Sequence, residues 1–178
     1  MARMQADILA RCLATPAIPA VLATTRKDGR GYLVPVWYLW EETGGATATY
    51  PFYRHGRFWL IGTYTRRWCK HIFADPRVSL CIQGGGVPGY VAVDCQAEPV
   101  HPADVDIWPI ATQLARRYVG HSRGEEAAEK FVANMRTEPR LLFRLTPENW
   151  RCIDLTVYTG TRADLAYQER TTARAESD

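Results

Sequence analysis

No stretch of this sequence stays apolar for the ~18 residues that a membrane-crossing helix needs, so no such span is expected. The five cysteines (Cys12, Cys69, Cys81, Cys95 and Cys152) are odd in number and scattered. None forms a CxxC pair, which argues against a disulfide framework or a zinc ribbon and favours a reduced, cytoplasmic setting. Cys69 and His71 are half of a metal site with no second pair at ligand spacing, so no metal is expected. The net charge is only +3, too little to argue for a nucleic-acid partner. Catalytic signatures are missing as well. There is no HExxH, no Ser/His/Asp order, and no Walker or Rossmann glycine pattern, and no residue is nominated as catalytic.

What is present reads as one domain over residues 1–159, followed by a polar tail, 160–178, with no apolar period and expected to be mobile. The start, "MARMQADILARCL", with Ile8, Leu9, Cys12 and Leu13 at helical spacing, predicts an amphipathic helix. Strands are predicted at "AIPAVLATT", "YLVPVWYLW", "RFWLIGT", "RVSLCIQ" and "YVAVDCQAEPV", with a hairpin turn at the Asp-Gly of "RKDGRG". Pro35, inside the second run, demands an edge, a bulge or a ligand contact. "PIATQLARRYVG" and "EEAAEKFVANM" read as helices, and "RLLFRLT" and "WRCIDLTVY" as two closing strands. The pattern is mainly β with α: six to seven antiparallel strands forming a small barrel with flanking helices.

Charge is distributed unevenly. Residues 1–83 hold 11 Lys and Arg against 5 Asp and Glu, and residues 84–178 hold 11 against 14. Much of the basic excess sits in "GTYTRRWCKHIFADPRVSL", where a strand gives way to a helix. At about 100° per residue, Arg66, Arg67, Lys70 and His71 share one arc, and Trp68, Cys69, Ile72 and Phe73 share the other. Cations at a helix N-terminus oppose its dipole by about 0.3–1 kcal/mol each. Free N–H groups, the Thr63 and Thr65 hydroxyls and two guanidinium forks there would instead suit a phosphate. The competing reading is a solvated basic face, paired with Glu41 or Glu42.

The order "VLATTRKDGRGYLVPVWYLW", "FWLIGTYTRRWCKHIFADPRVSLCI", "GYVAVDCQAEPV" resembles the pyridoxamine 5'-phosphate oxidase-like flavin and deazaflavin oxidoreductases. That resemblance implies an FMN-binding split β-barrel, a homodimer with its cofactor site at the subunit interface, and a small-molecule substrate. It implies a phosphate on Thr63, Thr65, Arg66 and Arg67, with Lys70 nearby, and a flat ring along Val34, Pro35, Val36 and Trp37. Three departures stand out. Trp68 occupies a place where the family usually has a basic residue, and Ala92 and Cys95 stand at places of an arginine and a glycine in the namesake oxidases. The long 41–57 loop, with Tyr50, Phe52, Tyr53 and His55, is expected to cover the ring or to form a dimer contact. The cofactor implied is FMN. The alternatives are deazaflavin F420, whose acidic tail would call on Arg54, Arg57 and Lys70, and haem, with His55 or His71 as axial ligand.

Overall fold

The computed structural model describes residues 4–43, 55–84, 89–101 and 103–155. Tyr50, Phe52, Tyr53, Arg54 and the 160–178 tail, all named above, lie outside the described residues. The chain opens with helix α1 (Ala6–Ala14), which buries Leu9, Cys12 and Leu13 at helical spacing. Strands β1 (Ala20–Thr25) and β2 (Gly31–Val36) follow as an antiparallel hairpin. Its turn is closed by Arg26 N–H to Arg30 O (2.9 Å), with Gly29 at φ +80°, a conformation that favours glycine.

The predicted strand "YLVPVWYLW" is two strands. β2 ends at Val36, and β3 (Leu39–Glu42) begins after Trp37 and Tyr38. The sheet order is β2-β1-β5-β6-β7-β4-β3, so those two residues carry the chain from one edge of the sheet to the other. Both halves have strand-like residues, and only the tertiary arrangement separates them. Pro35, which cannot donate to a ladder, sits on an edge strand as required.

The remaining strands are β4 (Gly56–Gly62), β5 (Arg77–Gln83), β6 (Gly89–Val100) and β7 (Leu141–Asp154). Every strand pairing is antiparallel, and the seven-stranded sheet is not closed. The two closing strands expected from the sequence are one strand, β7. Asp94 pairs with Asn149 and Cys95 with Pro147, leaving Glu148 as a bulge. Burial on β7 therefore changes phase, from Leu141, Phe143 and Leu145 to Trp150 and Cys152. That phase change is what made one strand read as two.

The inward faces of the strands bury Leu22, Phe58, Leu60, Leu80, Val93 and Phe143 in one core, with α1 and α2 (Arg67–Ala74) packed onto it. Each such side chain contributes about 1.5–3 kcal/mol. A helical hairpin separates β6 from β7: α3 (Trp108–Ala115), a π-helical turn (Arg116–Gly120), α4 (His121–Arg123) and α5 (Glu125–Met135). α3 covers the outer face of the sheet through Trp59, Ile107 and Leu142. None of the described helices is long and apolar enough to cross a membrane.

Candidate functional site

Helix α2 is held against the end of β4 by a close approach. A Cβ on Gly62 would lie 2.4 Å from Cys69 Sγ and 2.8 Å from the Trp68 ring, so only glycine lets the helix seat there. Burial pushes the Cys69 thiol up to about 11. Cys69 is thus a neutral packing residue. On the far side His71 Nδ1 lies 2.9 Å from the hydroxyl of buried Thr24, which ties α2 to β1. Phe73, expected from the helical wheel on the buried side, is 51% exposed.

At its other end α2 is open. Arg66 is the N-cap residue, with an extended backbone (φ −68°, ψ 133°) and no side-chain capping bond, and the first turn contains no acid. Being extended, Arg66 does not follow the 100° spacing, so its side chain parts from those of Arg67 and Lys70. Among the described residues Arg66, Arg67 and Lys70 form no ion pair, and the Glu41 carboxylate serves Trp59 Nε1 (2.6 Å) and Arg57 (3.0 Å) instead.

Arg66 lines a cavity of about 320 Å³. Pro35, Val36 and Trp37 form one wall where β2 gives way to β3. Leu114, Ala115, Phe131 and Met135 of the helical hairpin form another, and Ile61, Trp68 and Arg140 complete the lining. The charged side chains of this lining are two guanidiniums, with no carboxylate. Trp68 is 3% exposed and its Nε1 has no hydrogen-bond partner. Leaving such a donor unmet costs about 1–3 kcal/mol.

The cavity wall is braced from behind. Tyr118, on the π turn, stacks on Trp37 (centroids 4.8 Å apart, planes at 5°), and Phe131 lies against the same indole at 5.3 Å. The Tyr118 hydroxyl donates to Ile18 O (2.9 Å) and accepts from Tyr38 N–H (3.1 Å). Its neighbour Arg117 reaches α1, donating to the carbonyls of Leu13 (2.7 Å), Ala14 (3.1 Å) and Thr15 (2.6 Å). Burial raises the pKa of both Tyr38 and Tyr118, which keeps these phenols neutral. π turns of this kind recur at functional sites because they re-aim consecutive side chains.

Of the residues nominated from sequence, the cavity gathers Pro35, Val36, Trp37 and Arg66. Val34 packs against the barrel core. Thr63 and Thr65 share a hydroxyl–hydroxyl hydrogen bond of 3.0 Å, and Arg67 and Lys70 are exposed without lining this cavity. His55 and Arg57 belong to the β3–β4 hairpin, where His55 O accepts from Thr43 N–H (2.7 Å). Neither they nor His71 line it. Sequence reasoning missed Arg140 and the hairpin residues Leu114, Phe131 and Met135, whose part in the cavity no local spacing signals.

The chain belongs to the pyridoxamine 5'-phosphate oxidase family, whose model matches residues 10–154. No curated protein matches it in sequence. Among solved structures it is similar to an F420 reductase (18% identity, covering 78% of this chain and 93% of that one, TM-score 0.53). It is also similar to the heme storage protein HutZ of Vibrio cholerae (17%, covering 86% and 95%, TM-score 0.54). A third likeness is to a pyridoxamine 5'-phosphate oxidase-related, FMN-binding protein of Nostoc punctiforme (16%, covering 84% and 83%, TM-score 0.52). At these identities the likeness concerns the fold, a split barrel.

Proposed function

We propose that this protein is a flavin- or deazaflavin-dependent oxidoreductase acting on a small organic molecule as a homodimer. One observation carries the reading. The cavity joins an apolar wall, Pro35-Val36-Trp37, to the guanidiniums of Arg66 and Arg140, with no carboxylate in its lining. A flat, acceptor-rich ring bearing a phosphate matches that donor set. Pro35, Val36 and Trp37 would supply the apolar contact, and Arg66, with Arg67 and Lys70 outside, the positive charge for the phosphate. When bound, the cofactor supplies hydride or electron transfer, so the chain needs no nucleophile of its own. The residues position the ring and, through Leu114, Phe131 and Met135, exclude water from one side of it.

A second protomer finds support in β1 and β2, where Val21 (40%) and Leu33 (69%) are large apolar side chains left exposed. The haem-binding relative shares the fold, but no histidine lines this cavity.

The test is a titration of the purified protein with FMN and with deazaflavin F420, followed by fluorescence quenching. One of the two is expected to bind, and Arg66→Met is expected to weaken it by about 2 kcal/mol, roughly 30-fold. Wild-type affinity in Arg66→Met would take the N-terminus of α2 out of the site. Failure of both cofactors to bind the wild type would remove the whole reading.

A further inference from the structure

Arg140 lies in the short connection between α5 and β7, and no spacing or motif singles it out. Its side chain is 13% exposed. Its Nε donates to Met135 O at the end of α5 (3.0 Å), which fixes the plane of the guanidinium. Among the described residues, the remaining positive charge is met by Glu138 alone, at 3.4 Å, whose own side chain is 64% exposed. A guanidinium held this firmly, with so loose a partner, is a preorganised anion receptor. Arg140 also lines two cavities. One is the cavity shared with Arg66, and the other is an open cavity of about 500 Å³ whose charged and polar lining also includes His101, Asp106, Arg136 and Glu138, with Tyr64 and Trp108 beside them. Arg136 adds a second cation there, lying over the Trp108 ring at 4.1 Å.

We propose that Arg140 receives a second anionic group, a carboxylate or phosphate separate from the one at Arg66, at the junction of these two cavities. This rests on the reading of the cavity as a ring-cofactor site. Two sources fit the chemistry: an acidic tail on the cofactor, or an acid group on the substrate. In either case Glu138 is the group the ligand displaces from Arg140.

The experiment compares wild type, Arg140→Met, Arg140→Lys and Glu138→Gln in two arms. In the first, FMN and glutamate-tailed F420 are titrated separately. A loss of about tenfold or more for tailed F420 in Arg140→Met, with FMN little changed, supports the proposal and assigns the tail as the source. In the second, benzoate is titrated into the cofactor-loaded protein. A comparable loss there, with cofactor affinities unchanged, supports the proposal and assigns the substrate. Partial recovery in Arg140→Lys identifies charge, not packing, as the cause. Should Arg140→Met fail to fold, Glu138→Gln serves: about twofold or greater tightening of either probe supports the proposal, and unchanged binding overturns it. Wild-type binding in both arms for Arg140→Met overturns it while leaving the cofactor reading intact. Absence of any cofactor binding to the wild type overturns both.

Discussion

Two helix ends in this molecule face the same backbone problem and are treated differently. The last carbonyls of α1 have no partners within the helix, and Arg117 supplies them: its guanidinium donates to Leu13, Ala14 and Thr15. The first N–H groups of α2 are equally orphaned, yet no side chain caps them. Arg66, of the wrong sign for that end, stands at the N-cap, and the nearby Trp68 N–H also goes unanswered. One end is completed by the chain itself. The other gathers donors and no acceptor, the feature on which the proposed anion site rests. Unmet groups in a well-packed fold are therefore read best against met ones of the same kind.

The largest expected effect comes from undoing the completed end. Arg117→Met should destabilise the fold by about 3 kcal/mol, since several charge-assisted bonds to α1 go at once. Denaturant melts measure it, and a change under about 1 kcal/mol would show that α1 is held by its apolar face alone. Arg66→Met should give the opposite signature, with affinity lost and the melt nearly unmoved. Next is Gly62→Ala, which puts a methyl into the Cys69 and Trp68 contacts. It should cost about 1–3 kcal/mol by overpacking and, by shifting the open end of α2, weaken cofactor binding too. Unchanged binding in a destabilised Gly62→Ala would separate the seating of α2 from the site.

The smallest effect belongs to the other end of α2. Asp75, the C-cap residue, is held down to about 2 by hydrogen bonds from Arg77, Nη2 to Oδ2 at 2.8 Å among them. A depressed carboxylate contributes stability above its unfolded pKa, ordinarily about 3.9, and loses it as pH falls toward the folded value. Asp75 should therefore stay ionised through pH 4 and titrate near 2 by carboxyl NMR. Arg77→Ala should return the midpoint to the ordinary range, and an unmoved midpoint would exclude Arg77 as the cause.

Much of the sheet was legible from sequence because alternation and turn chemistry are local. β5 spans Arg77–Gln83 as "RVSLCIQ" predicts, and the Asp-Gly turn is where it was expected. The break after Val36 was not legible, since Trp37 and Tyr38 are good strand residues and leave the ladder only because the chain must change sheet edges. Half of the cavity escaped for a related reason. Arg140 follows "TEP" with no spacing to single it out and is fixed by a carbonyl on a helix end, and Arg117, which braces the wall from behind, finds its partners about a hundred residues away. The helical wheel grouped Arg66 with Arg67 and Lys70 because it presumes helical backbone at a residue that is extended.

The break between β2 and β3 has one more consequence. The outermost strands, β2 and β3, do not pair with each other, and the cavity begins where β2 ends, at Pro35, Val36 and Trp37. On the proposed reading, ligand preference there can drift through substitutions at Trp37, Phe131 or Arg140, none of which belongs to an interstrand pair. A scaffold that leaves itself ajar in this way can change what it holds while keeping how it folds.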